Sequence, residues 1–198
     1  YTTLFRSEVN AKMGLICATP TAGSAGVVSG VLLAVIDRLK LTHQQQLDFL
    51  FTAGAFGLVI ANNASISGAE GGCQAEVGSA SAMASAALVA ASGGTPDQSA
   101  QAVAITIKNM MGLICDPVAG LVEVPCVKRN ALGSSQAFIS ADMALAGIRS
   151  VIPPDEVIHA MYQVGRQMPQ IFKETAEGGL AVTPTAQRLS KEILEKQK

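Results

Sequence analysis

The stretch GSASAMASAALVAA, residues 78–91, decides the fold. It is almost all Ala, Ser and Val, and Ala is the best helix former. A helix of such small side chains has little of its own to bury. It stabilises a fold by letting neighbouring helices come very close. Immediately after it, Thr95-Pro96-Asp97-Gln98 reads as a helix start, with an N-cap hydroxyl, Pro at the first helical position and Gln at the third. That helix is expected to run to about Met111. Upstream, Thr42 and Gln45 form a second capping box, opening a helix through Leu47, Leu50, Phe51 and Leu58. Helical spacing also marks 27–39 and 137–148. Pro154 with Asp155 and Glu156 opens another helix through Val157, Met161 and Val164, and Thr183-Pro184 opens the last. Residues 191–198 read as a solvated helical tail. Alternating runs are short and there is no Asn-Gly hairpin signal. The reading is an all-α helical bundle.

The composition agrees. There are 31 Ala beside 19 Gly in 198 residues, and charged residues are 15%. A chain this apolar is not disordered. A net charge of −1 argues against an electrostatic nucleic-acid binder. The longest apolar run, 53–61, is broken by Gly54 and Gly57 and falls short of the roughly 20 residues of a membrane span. The apolar surface therefore faces this chain's own core or a partner.

Three Gly-rich or polar loops separate the helices, and polar loops in so apolar a chain are where function lies. They are 19–26, 62–73 and 115–120, the last leading on to 124–130. Three of the four cysteines sit in or beside them: Cys73 after Gly71-Gly72, Cys115 before Asp116-Pro117, and Cys126 after Pro125. Cys17, within Leu15-Ile16-Cys17-Ala18, reads as a core thiol. No CxxC pair exists, which argues against a zinc ribbon. Three loop-borne thiolates suit three irons of a [4Fe–4S] cluster with the fourth iron open. Separations of 42 and 11 residues match no compact motif, however, and on spacing alone buried free thiols fit them better.

The loops resemble those of the iron–sulfur-dependent L-serine dehydratases, alpha chain or alpha domain. The matching stretches are PTAGSAG (20–26), NNASISGAEGGCQAEVG (62–78) and CDPVAGLVEVPCVKRN (115–130). SAMASAALVAASGGTPDQS (81–99) and GGLAVTPT (178–185) fit as well. The resemblance runs from about Glu8 to the C-terminus. It implies a [4Fe–4S] cluster on Cys73, Cys115 and Cys126, with Gly-rich loops converging on it. It implies a lyase that converts L-serine to pyruvate and ammonia without pyridoxal phosphate, so Lys108 and Lys128 are not cofactor lysines. It further implies a beta chain or beta domain as partner, an oligomer, a cytoplasmic setting, and a role in amino-acid catabolism and gluconeogenesis, with neither nucleic acid nor membrane as partner.

Loss of hydroxide from serine needs a Lewis acid on the leaving oxygen and a base for the Cα proton. Lys128 and Arg129 are the paired cations beside a ligand cysteine, suited to the substrate carboxylate or to cluster charge. Thr21, Asn62, Asn63 and Ser65 can donate hydrogen bonds to a carboxylate or to sulfur, and Gly23 and Gly68 permit close backbone approach. Ser67 ranks first as base, ahead of Glu70, Glu76, Asp116 and Glu123. His43 and His159 read as surface or core residues. The base can also come from a beta domain.

Residues 1–7, Tyr-Thr-Thr-Leu-Phe-Arg-Ser, are what TAC ACG ACG CTC TTC CGA TCT encodes, the string of a common short-read sequencing adapter. They are expected to be a non-native leader before a catalytic domain, 8–198, that is incomplete at its N-terminus. Three other readings remain beside the serine dehydratase. One is a cluster-dependent lyase for threonine, cysteine or another small amino or hydroxy acid. Another is an inactive iron–sulfur helical module needing a beta partner. The last is a helical scaffold with free thiols.

Overall fold

The computed structural model describes residues 8–9 and 12–195. The leader expected at 1–7 and the last residues of the expected C-terminal tail lie outside the described residues. Helices follow one another as α1 (Gly26–Leu39), α2 (His43–Asn63), α3 (Gly68–Cys73), α4 (Ser79–Ala91), α5 (Pro96–Met110), α6 (Cys126–Leu145), α7 (Pro154–Gln167) and α8 (Pro184–Glu195). Among the described residues there is no sheet, only an isolated parallel bridge between Cys115 and Lys173. The chain is all-α, as its patterning predicts.

Helix α4 is the hub, and residues 79–89 of it are buried without exception. It packs against α1, α2, α5 and α6. Small side chains make this possible. A Cβ placed on Gly133 of α6 would sit 2.5 Å from Ser81 Oγ and 2.9 Å from Val77 Cγ1. Ser85 of α4 spends its polarity locally: its Oγ donates to the Ala82 carbonyl and accepts from Thr106 of α5 at 3.0 Å, whereas the buried hydroxyls of Ser79 and Ser81 have no hydrogen-bond partner among the described residues. Larger side chains fill the outer layers. Val27, Val31, Val35 and Phe49 close one side, while Ile60, Ile107, Val157 and Met161 close the other, between α2, α5 and α7. Each such side chain stabilises the fold by about 1.5–3 kcal/mol when fully buried.

Both capping boxes form. Thr42 accepts from Gln45 N while the Gln45 side chain accepts from Thr42 N, and Thr95 and Gln98 do the same. Helices α7 and α8 begin at the two prolines expected to start them.

Three expectations fail. Residues 62–73 are not one loop: α2 continues through Asn63 and α3 spans Gly68–Cys73, leaving only a short link. Glycines lower helix propensity, but here they are required for packing, and tertiary contact overrides the local preference. The helix expected at 137–148 begins at Cys126 and ends at Leu145, so 126–130 is a first turn rather than a loop. Cys17 is exposed, not a core thiol. Its neighbour Leu15 is 89% exposed, so this apolar stretch lies on the surface of the described residues.

No single helix among the described residues is long and apolar enough to cross a membrane. Helix α2 together with Gly68–Ala91 has the length and composition, but the pair is bent by 69° and α4 is buried inside the bundle. The outer side of α2 leaves Leu50, Phe51, Leu58 and Val59 exposed.

Candidate functional site

Cys73 ends α3 beside a break in the helix. Gly72 has φ 74° and ψ −177°, and a Cβ there would lie 2.9 Å from the Leu113 carbonyl. Only glycine fits this conformation at this approach. The next residue but one holds the break in place. Gln74 N donates to Leu113 O at 2.9 Å, its Oε1 accepts from Gly112 N at 2.8 Å, and its Nε2 donates to Met161 O at 3.0 Å. Beyond it, Gln74–Gly78 forms a wide π turn. Such turns are frequent at functional sites. This one carries Glu76 toward the thiols.

Cys115 is held from the other side. Its N–H donates to Phe172 O and its carbonyl accepts from Glu174 N, both at 2.9 Å. Cys126 is buried as the first residue of α6, after Pro125.

These elements bring Cys73, Glu76 and Cys115 together, with one ligand atom of each within 4.8 Å of the others. Cys126 stands outside that group. Glu76 is 8% exposed and accepts a hydrogen bond from Thr21 Oγ1 at 2.5 Å. Gly68 closes the cluster. A Cβ on it would lie 3.1 Å from Glu76 Oε2, 3.2 Å from Cys115 Sγ and 3.3 Å from Glu174 Oε2.

The electrostatics favour a thiolate at Cys73. A hydrogen bond from the Cys115 thiol lowers the Cys73 pKa most; burial opposes this, and the charge of Arg129 lowers it further. Cys115 moves the other way: its bond to Cys73, then burial, push it far above the ordinary thiol range. In the metal-free pair the shared hydrogen bond thus favours the ionised form of Cys73 and the protonated form of Cys115. Arg129 arrives from the first turn of α6. Its Nη1 donates to Cys73 Sγ at 3.6 Å, Ile114 O at 2.9 Å and Asp116 Oδ1 at 2.7 Å. Asp116 is 1% exposed, and its second oxygen accepts from Leu180 N at 2.7 Å. The largely buried guanidinium thus faces a carboxylate and a thiol whose ionised form it favours.

The residues singled out from sequence separate into two sets. Thr21, Gly23, Gly68, Arg129, Cys73 and Cys115 meet at this cluster. Gly23 is tied in by Asn130 Nδ2, which donates to its carbonyl at 2.8 Å, and a Cβ on Gly23 would collide with Glu76. Others lie apart. Asn62 and Asn63 are exposed on the last turn of α2, where Asn63 Nδ2 donates to Val59 O. Ser65 Oγ donates to Glu70 Oε2 at 2.6 Å and accepts from Ser67 N. Ser67 is the half-buried residue before α3, its carbonyl accepting from Gly71 N. Lys128 is exposed, although its neighbour Arg129 points inward. Glu123, His43 and His159 are exposed, and His159 contacts Gln163. Among the base candidates, only Glu76 and Asp116 reach the cluster. The part played by 170–180 was missed. This segment clamps Cys115 and Asp116, and its stretch GGLAVTPT was the signal that it mattered. Nothing local marked Glu174.

Comparison with known proteins places the chain among its relatives. Residues 2–181 match the family model described as the serine dehydratase alpha chain. A Bacillus subtilis (strain 168) protein named probable L-serine dehydratase, alpha chain, is 70% identical over 187 residues, 94% of this chain. This chain spans 62% of that relative's length. A Latilactobacillus sakei protein of the same name is 60% identical, across 94% of this chain and 90% of its own. The L-serine dehydratase alpha chain of Peptoniphilus asaccharolyticus is 50% identical, across 96% of this chain and 65% of its own. Both cysteines, their arginine and the glycine that closes on them lie inside the matched region, and the chain belongs to the serine dehydratase alpha chain family.

Proposed function

We propose that this chain carries the deamination of L-serine to pyruvate and ammonia, as a lyase that uses a [4Fe–4S] cluster on Cys73, Cys115 and Cys126. The observation that carries the reading is the buried convergence of Cys73, Cys115 and Glu76, with ligand atoms within 4.8 Å, inside the family's domain. The donor set fits such a group. Two thiols face each other, one is favoured as thiolate, and the backbone beside them is glycine. Cys126 would complete the set from the start of α6. The cluster, once bound, supplies an open iron as Lewis acid for the departing hydroxide.

The chain's own residues do the rest. Arg129 holds Cys73 in its anionic, ligating form and is itself anchored by Asp116. Thr21 orients the Glu76 carboxylate, which is placed to face the ammonium of the amino acid or to accept its Cα proton. Gly68 and Gly23 leave space that a Cβ would fill. Ser67 borders α3 one residue from Gly68 and remains the second candidate for the base. The polar side chains of Ser65, Asn62, Asn63 and Lys128 are candidates for the rim over which substrate enters.

The relatives' names denote an alpha chain, and we infer a beta chain or beta domain as partner. The exposed apolar residues Leu50, Phe51, Leu58 and Val59 on α2 support a partner surface. Anaerobic reconstitution with iron and sulfide tests the proposal, alone and with a beta chain. The expected result is cluster absorbance, and pyruvate from L-serine. Faster turnover of threonine or cysteine would move the substrate assignment. No cluster under either condition would refute the reading.

A further inference from the structure

A cavity lies against α3 and α7. It has a volume of about 560 Å³ and is lined by Ser65 before α3, by residues of α3 and α7, by Ala75 of the π turn, and by the segment that follows α7. Its floor is the contact of two glycines: a Cβ on Gly165 would meet Gly71 Cα at 2.9 Å. Three charged side chains line it, Glu70 from α3, Arg166 from the last turn of α7, and Lys173. Among the described residues, Arg166 and Lys173 have no side-chain hydrogen bond or ion pair, although a carboxylate lines the same cavity. Glu70 accepts only from Ser65 Oγ. The fold therefore holds two cations and one anion around one space, beyond ion-pair distance of each other.

We propose that this cavity binds a free α-amino acid as its zwitterion, with the carboxylate on Arg166 and Lys173 and the ammonium on Glu70. A guanidinium and an ammonium together match a carboxylate well. The volume lies within the range of small-molecule sites, about 300–1,000 Å³, and exceeds the need of an amino acid of serine size. Neither thiol lines the site, which shares Ser65 with the rim proposed for substrate entry and adjoins the segments of both cysteines. Gly71 is two residues before Cys73, and Lys173 is paired with Cys115 through the parallel bridge. The proposal goes beyond the reaction and does not rest on the cluster.

Equilibrium dialysis of the full chain, prepared without iron, against radiolabelled L-serine tests it. Pyruvate and inorganic phosphate serve as competitors. One L-serine should bind per chain. Affinity should fall at least tenfold in Arg166→Met with Lys173→Met, and should survive in Cys73→Ser. Glu70→Gln should weaken L-serine but leave pyruvate competition unchanged, because pyruvate has no ammonium. Circular dichroism melts confirm that each variant is folded, and a variant that is not folded is replaced by the single charge reversal Lys173→Glu. Phosphate competing as well as L-serine would overturn the amino-acid assignment. Absence of saturable binding, or binding indifferent to the two cations, would overturn the site. Loss of binding in Cys73→Ser alone would place the amino acid at the thiols instead.

Discussion

Arg129 donates to Cys73 Sγ at 3.6 Å from a nitrogen that also holds Asp116 at 2.7 Å. The two residues are 56 apart in sequence, and the guanidinium side chain is only 14% exposed. A positive charge there stabilises the thiolate, which ligates metal, over the thiol, which does not. Arg129→Met should therefore raise the Cys73 titration midpoint in the metal-free chain, followed as thiolate absorbance. An unchanged midpoint would show that the Cys115 hydrogen bond alone sets it.

The same thiols make stability depend on pH, with two signs. The folded pKa of Cys73 is lowered, so its contribution is present above the unfolded thiol value, about 8.5, and is lost as pH falls through the folded value. The folded pKa of Cys115 is raised, so stability is present below the unfolded value and is lost as pH rises above it. Urea midpoints of the metal-free chain, taken as differences from Cys73→Ser, should climb toward pH 8.5. Differences from Cys115→Ser should decline above it. A flat difference in either series contradicts the shared proton.

Thr21→Val keeps the shape of the side chain but removes the donor to Glu76. A buried carboxylate left short of a partner costs about 1–3 kcal/mol, more when charged. Urea unfolding at neutral pH should report that loss. Adding Glu76→Gln should recover part of it, since the neutral amide tolerates burial better.

Gly133→Ala tests the close approach of α6 to α4. Its Cβ would sit 2.5 Å from Ser81 Oγ, and overpacking of this kind costs about 1–3 kcal/mol. The melting temperature should drop by roughly 2–4 °C for each kcal/mol in a chain of this size. Ser81→Gly should restore only part of the drop in the double variant, since Val77 Cγ1 still stands 2.9 Å from the new Cβ. A melt unaffected by Gly133→Ala would mean that the helices separate at little cost.

The four cysteines should differ in reactivity. Cys17 is exposed, and Cys73, Cys115 and Cys126 are buried. Brief iodoacetamide treatment of the native chain, read by mass spectrometry, should label Cys17 first. After reconstitution, Cys17→Ser should keep the cluster absorbance and Cys73→Ser should lose it. The reverse pair of results would overturn the ligand assignment.

Much of the architecture was legible in residue order. Capping boxes at Thr42 and Thr95 announce themselves because their hydrogen bonds close within four residues. Prolines 154 and 184 mark helix starts because their rings preset φ and remove a donor that is spare there anyway. The Ala/Ser run of α4 signals close packing because small side chains leave nothing else to bury. Cys73 and Cys115 stood out because of the glycines and prolines beside them.

What tertiary structure decided concerns groups that meet across long separations. Glycines 68 and 71 read as a loop, yet they lie in a helix closely packed by Cys115 and Gly165, and Gly72, against the Leu113 carbonyl, breaks it. Cys17 reads as buried among apolar neighbours, but burial belongs to the surrounding chain and not to the local segment. The pairings Thr21–Glu76 and Asp116–Leu180, 55 and 64 residues apart, have no local signature. Helix starts and periodicity are short-range properties, so sequence alone determined them. The ordering of charge around two thiols depends on which distant segments share a low-dielectric interior, and only the folded chain decides that.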